Sequence, residues 1–141
     1  MITFKSRRTK RAASLVEVIA GLFILIPLFL CMIDLSAVVI GQIVNDALAK
    51  RAARAAAQKA TSAEASTAAQ SIVNAYQVNG IVSQASIISV TFNAGNTGNV
   101  VVETQVQINV PAPIPFVPLL SNGRNMNARA TEPIVMLPAG P

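Results

Sequence analysis

Six carboxylates, one thiol and no imidazole are the acid–base and nucleophilic stock of this 141-residue chain. Without His, neither a Ser-His nor a Cys-His pair can be assembled. No Cys/His cluster has metal-ligand spacing. Gly95 and Gly98 lie in a turn-rich stretch with no helical pattern after it, so they form no phosphate loop. The single Cys31 cannot make an intrachain disulfide. The bulky Leu30 before it also argues against lipidation, leaving a thiol packed in a membrane helix. The carboxylates outside the apolar run are scattered singly. We expect no catalytic residues, no cofactor and no metal. One carboxylate stands apart: Glu17 follows five basic residues (Lys5, Arg7, Arg8, Lys10, Arg11) and opens a long apolar run.

That run defines the first element. No charge occurs from Val18 to Ile33, and apolar character resumes after Asp34 to Val44. A bilayer core of about 30 Å needs roughly 20 apolar residues at about 1.5 Å each. The run meets that length and places Asp34 near one membrane face. A secretory signal core spans only roughly 7–15 residues before its cleavage site. The segment therefore reads as an anchor: a basic leader over 1–12 and a transmembrane helix over 13–44.

The net charge of +5 does not mark a nucleic-acid binder. Five of the eleven basic residues belong to the leader, and the remaining six are matched by six acidic ones. Leader charges orient a span with its N-terminus in the cytoplasm. Lys50, Arg51, Arg54 and Lys59 beyond the span oppose that orientation by four charges to five.

Residues 45–80 form the second region. Ala, Leu, Lys and Arg dominate Asp46–Lys59, all good helix formers, so the membrane helix should continue into water as one amphipathic rod. Lys50 and Arg54 share a face, either a solvated one or one that meets lipid phosphates or an acidic partner. Thr61 and Glu64 have capping-box spacing. A second helix is expected to follow to about Asn79, with Ala65, Ala68, Ala69, Ile72, Val73 and Tyr76 as its apolar stripe. Gly80 is expected to supply its left-handed terminus.

From residue 81 the period changes to two. Ile88, Val90 and Phe92 alternate with Ser89 and Thr91, and Val100, Val102, Thr104, Val106, Ile108 and Val110 alternate with Glu103, Gln105, Gln107 and Asn109. Each pattern is a strand with one buried face. The turn formers of Asn93–Asn99 join them as an antiparallel hairpin. Asn125–Glu132 is a third strand, demoted to an edge by Pro133. Between strands two and three, the Pro-rich loop 111–123 carries Ile114, Phe116, Val117, Leu119 and Leu120. This loop is either a lid on the core or a docking surface for a subunit or the membrane. The fold class is α+β: a transmembrane helix continuing into a long amphipathic helix, then a three-stranded antiparallel domain over 81–141.

Three stretches in this order resemble a known family. They are Arg11-Ala-Ala-Ser-Leu-Val-Glu17 entering the apolar run; Met32-Ile-Asp34-Leu-Ser at its far end, followed by Asn45-Asp-Ala-Leu-Ala and Arg51-Ala-Ala-Arg-Ala-Ala; and Val110-Pro with Ile114-Pro-Phe-Val-Pro-Leu-Leu, followed by Met126-Asn-Ala-Arg-Ala-Thr-Glu132. The chain resembles the TadE-like proteins, minor pilins or pseudopilins of tight-adherence (Flp-type) pilus systems within the type IV filament superfamily. Ala12 stands where prepilins usually carry Gly.

The resemblance implies a pilin-like fold and cleavage between Ala12 and Ala13 by a prepilin peptidase. It also implies Glu17 as the fifth mature residue, pairing with a free N-terminal amine among neighbouring helices. A lone carboxylate inside the bilayer costs about 2.5–3.5 kcal/mol by insertion scales. An ammonium about 4 Å away offers about 4 kcal/mol at an effective dielectric near 20. The implied partners are the membrane, other pilin-like subunits and an assembly platform, with the head outside a bacterial inner membrane. The other expectation is a single-pass accessory module of a secretion system that never enters a filament.

Overall fold

The computed structural model describes residues 6–94, 98–111 and 123–135, with side chains from residue 14 onward. The element order is α1 (Ser6–Ala57), α2 (Ser62–Asn74), β1 (Val82–Asn93), β2 (Asn99–Ile108) and β3 (Arg124–Pro133). The strands form one antiparallel sheet in the order β1-β2-β3. The α+β architecture follows the two periods of the sequence.

α1 runs unbroken for 52 residues through Pro27. Proline is tolerated in apolar, membrane-type helices where neighbouring groups re-satisfy the backbone. Among the described residues one helix is long and apolar enough to cross a membrane, with an 18-residue window of mean hydropathy 2.7, none of it buried. Around the helix from Ser14 to Phe29 every residue is exposed. Burial begins at Asp34 and continues through Ala37, Gly41, Asn45, Leu48, Ala52 and Ala56. Steps of three and four keep these residues on one stripe. They are mostly small, which lets the sheet approach the helix closely. The closest approach is at Gly41, where an added Cβ would overlap the Ile108 side chain, 2.8 Å from Cγ1.

α2 lies against α1 and β1 and buries Ala65, Ala69 and Val73. Thr61 caps it, its hydroxyl accepting from the Glu64 N–H at 3.3 Å. The helix ends at Asn74, earlier than the sequence pattern implied, with Ala75 as a right-handed cap. Gly80 has no left-handed role, because Gly123 (φ 76°) is the only positive-φ residue among those described. Asn79 does the turning instead. Its side-chain oxygen accepts from the N–H groups of Ile81 at 2.9 Å and Val82 at 2.7 Å. An Asx turn of this kind organises the backbone without a glycine conformation.

β2 is the central strand. Val100, Val102, Thr104, Val106, Ile108 and Val110 are all buried, on the face assigned from the alternation. In β3, Ala128 and Ala130 are buried and Met126 half-buried, and Pro133 ends an edge strand. β1 departs from the expected pattern. Its register shifts between Ile87 and Ser89, which leaves Ile88 as an extra residue, 49% exposed, instead of inward. A bulge changes the parity of a strand, so Ala85 and Ile87 precede it on the core side while Val90 and Phe92 follow it there. A second shift between Val82 and Gln84 resets the start of the strand. The C-terminal end of β3 returns to the helix, where Val135 N–H donates to the Ala57 carbonyl at 3.2 Å. Terminal carbonyls of a helix lack intrahelical partners, so this bond closes α1 and ties both ends of the head together.

Candidate functional site

The residues that bear on membrane association lie along α1, and the fold divides them into three levels. The lowest is the bare span. Ser14–Ile33 covers 20 residues, about 30 Å of helix, which equals the hydrocarbon thickness of a bilayer. Its large side chains other than the half-buried Leu30 are exposed, among them Leu15 (64%), Phe23 (81%) and Phe29 (63%). An exposed apolar surface of this extent marks a site of contact with a membrane or with other protein. Glu17 is exposed on this bare stretch, three residues inside its N-terminal end. Ala12 and Ala13 belong to the same helix by backbone, one turn earlier.

The middle level is Asp34, fully buried at the point where α1 passes from bare rod to core of the head. It therefore faces protein, at the end of the head nearest the apolar span. Ala37 above it is 3% exposed. Asp34 and Glu17 are 17 residues apart, about 25 Å along one helix, so the fold does not bring the two carboxylates together.

The upper level couples helix to sheet. Asn45 is fully buried and donates from Nδ2 to the Met126 carbonyl at 2.8 Å. Its Oδ1 accepts from the Thr104 hydroxyl at 2.7 Å. One amide thus holds β2 and β3 to α1 through both of its ends. In a buried setting such polar bonds fix register, because a slip would leave several groups unpaired. The sequence had placed Thr104 on the inward face but gave no partner for it. The signal for Asn45 was its position on the stripe Ala37, Gly41, Asn45, Ala49, Ala52, where one amide interrupts small apolar residues.

Lys50, Arg51 and Arg54 are exposed on α1 above this level. Arg54 reaches Glu132 on β3 at 3.2 Å, and Arg129 reaches Glu103 at 3.6 Å. Exposed pairs of this kind contribute about 0–1 kcal/mol. Ile114, Phe116, Val117, Leu119 and Leu120 of the proline-rich loop lie outside the described residues. Among the described residues, no group of three or more His, Cys, Asp or Glu side chains could hold a metal ion.

The arrangement is one candidate membrane-spanning helix with a small α+β head built around the second half of the same helix. Comparison with protein-family models, with curated proteins and with solved structures gives no match for this chain.

Proposed function

We propose that the chain is a structural or assembly component, a minor pilin or pseudopilin, of a tight-adherence type IV pilus or a related secretion machine. The observation that carries this reading is the double use of α1. One continuous helix is bare and apolar over Ser14–Ile33 and is then the spine of a sheet-bearing head from Asp34 to Ala57. A bare apolar helix with a folded head can exchange lipid for the helices of neighbouring subunits, as a filament requires, without remodelling the head. Glu17 fits the same reading. If a prepilin peptidase cut between Ala12 and Ala13, the new ammonium and the Glu17 carboxylate of adjacent subunits would neutralise each other where water is scarce. The cut would also remove the five leader charges and leave six basic against six acidic side chains. In this reading the N-terminus starts in the cytoplasm, the span lies in a bacterial inner membrane and the head faces the periplasm or the exterior.

Mass spectrometry of the mature chain tests the reading, together with Glu17→Gln in cells whose filament system is otherwise intact. The expected mature N-terminus is Ala13, and Ala12→Glu should accumulate the longer precursor. Glu17→Gln should reach normal membrane levels, since an uncharged side chain inserts more easily, while pilus assembly or adherence falls. A mature chain that keeps its leader, with full adherence in Glu17→Gln, would refute the filament role. The protein would then be a permanent membrane-anchored accessory module of the secretion system.

A further inference from the structure

Above Asp34, α1 is covered on one side only. The head buries Asp34, Ala37, Gly41 and Asn45, while Leu35, Val39, Ile40 and Ile43 on the far side remain 44–62% exposed. At about 100° per residue, the nine steps from Asp34 to Ile43 are two and a half turns, so Ile43 points directly away from Asp34. With Met32, Leu35, Val39 and Ile40 line an open apolar groove that continues the bare surface of the span without a break. Lipid-compatible surface therefore ends at Asp34 on the head side and at Ile43 on the opposite side. A tilted membrane helix would carry such an oblique boundary.

We propose that this stripe is a lipid-docking face, and that the membrane-resident protein lies tilted with the head on the upper side of α1. The offset gives the angle. It is about 13 Å along the axis from Asp34 to Ile43, across a helix about 10–12 Å wide, which corresponds to a tilt of roughly 50°, steeper than most membrane helices. The apolar length from Ser14 to Ile43, about 45 Å, exceeds a core of about 30 Å and leaves room for a strong tilt. The polar end of the stripe begins at Asp46, which is exposed and accepts from Gln42 Nε2 at 3.0 Å, and continues to a lysine. Lys50 is exposed two turns beyond Ile43 on the same side. At that tilt it stands about 7 Å above the hydrocarbon edge, at the level of lipid phosphates, where its stem lies along the helix and its ammonium contacts anionic headgroups. An upright helix would instead hold Lys50 about 25 Å above Ile33, beyond any headgroup. The inference rests on the membrane span alone, and a subunit that never enters a filament would show it equally.

The test uses the full chain with Cys31→Ser and one new cysteine carrying a fluorophore, at Met32, Ile43 or Thr67. It is reconstituted at low density in phosphatidylcholine vesicles, with and without phosphatidylglycerol. Lipids brominated in the acyl chain should quench the probe at positions 32 and 43 several-fold more than at exposed Thr67 on α2, and aqueous iodide should show the reverse order. Adding Lys50→Glu should reduce acyl-chain quenching at position 43 in vesicles that contain phosphatidylglycerol. Quenching by iodide at position 43 as strong as at position 67 would mean an upright helix and overturn the tilt. Protection of position 43 from both quenchers, increasing with protein density, would mean that a second copy covers the stripe and would overturn lipid as its occupant. No effect of Lys50→Glu would remove the headgroup contact from the proposal.

Discussion

Replacing Asn45 by Ala should unfold the head before it disturbs the anchor. The side chain is fully buried and its amide is satisfied at both ends, by the Met126 carbonyl at 2.8 Å and the Thr104 hydroxyl at 2.7 Å. Truncation leaves the buried Thr104 hydroxyl and the part-buried Met126 carbonyl without this partner, and a buried group so left costs about 1–3 kcal/mol. A loss of about 2–5 kcal/mol is expected, a large part of the total stability of a small domain. Thr104→Val keeps the shape and removes one partner, so it alone should cost about 1–2 kcal/mol. In the Asn45→Ala background the same change should be neutral or favourable, because the hydroxyl it removes is already unpaired. The coupling between the two positions should therefore exceed about 1 kcal/mol. Tyr76 is the single tyrosine, there is no Trp, and its ring packs against the core of the head. Its fluorescence during urea unfolding of the full chain in nanodiscs follows the head, while far-ultraviolet dichroism retains the helix signal of the span. An Asn45→Ala cost below about 0.5 kcal/mol, or additivity of the two substitutions, would refute the claim that this amide fastens the sheet to the helix.

Two further perturbations probe the same packing. Gly41→Ala should destabilise the head through overlap with Ile108, against a helix-propensity gain of up to about 1 kcal/mol. Ile108→Val, which removes the nearest methyl, should offset that loss, whereas Gly21→Ala on the bare span should leave head stability unchanged; Tyr76 fluorescence in urea checks all three. Val106→Asp places an unpaired charge at a fully buried site of β2 and should abolish the cooperative unfolding transition. By the same urea measurement Gln105→Asp, on the opposite face beside Asn127, should change stability by no more than about 0.5 kcal/mol. Equal effects at these two positions would mean the strand register is wrong.

Where local pattern and tertiary packing agree, the fold was legible in the sequence. β2 alternates cleanly because it is central, with one face against the helices, so every inward residue from Val100 to Ile108 is buried as the period of two requires. β1 was less legible because its alternation runs through Ile88, where a bulge exchanges faces with no Gly or Pro to announce it. The end of α2 misled because Gly80 offered the customary stop, while an asparagine one position earlier turns the chain by side-chain hydrogen bonds. Asp34 and Asn45 were hardest to assign. Hydropathy treats both as interruptions of an apolar or Ala-rich run, whereas only the position of the sheet makes them buried. Glu17 was legible as a lone carboxylate at the edge of the span, because nothing in the head is needed to define it.

The same packing bears on how the protein meets its surroundings. Gly41 and Asn45 fix the rotation of α1 relative to the sheet, since a turn of the helix by one position would drive a side chain into Ile108 and strip the partners from Thr104 and Met126. The stripe Leu35–Ile43 is therefore locked on the side opposite the sheet. If the helix were free to rotate within the head, that apolar side could turn inward and the boundary at Asp34 would be the same all round. Because it cannot, the direction in which the protein leans, or in which it meets a neighbouring helix, is set by the buried contacts of the head and not by the bare span. Substitutions at Asn45 should consequently alter the orientation of the exposed stripe even though Asn45 touches neither lipid nor another subunit. The acyl-chain quenching at position 43 should fall in Asn45→Ala under conditions where the span remains inserted, while quenching at Met32 stays unchanged. Loss at both positions together would place the defect in insertion and remove the argument that the head sets the lean.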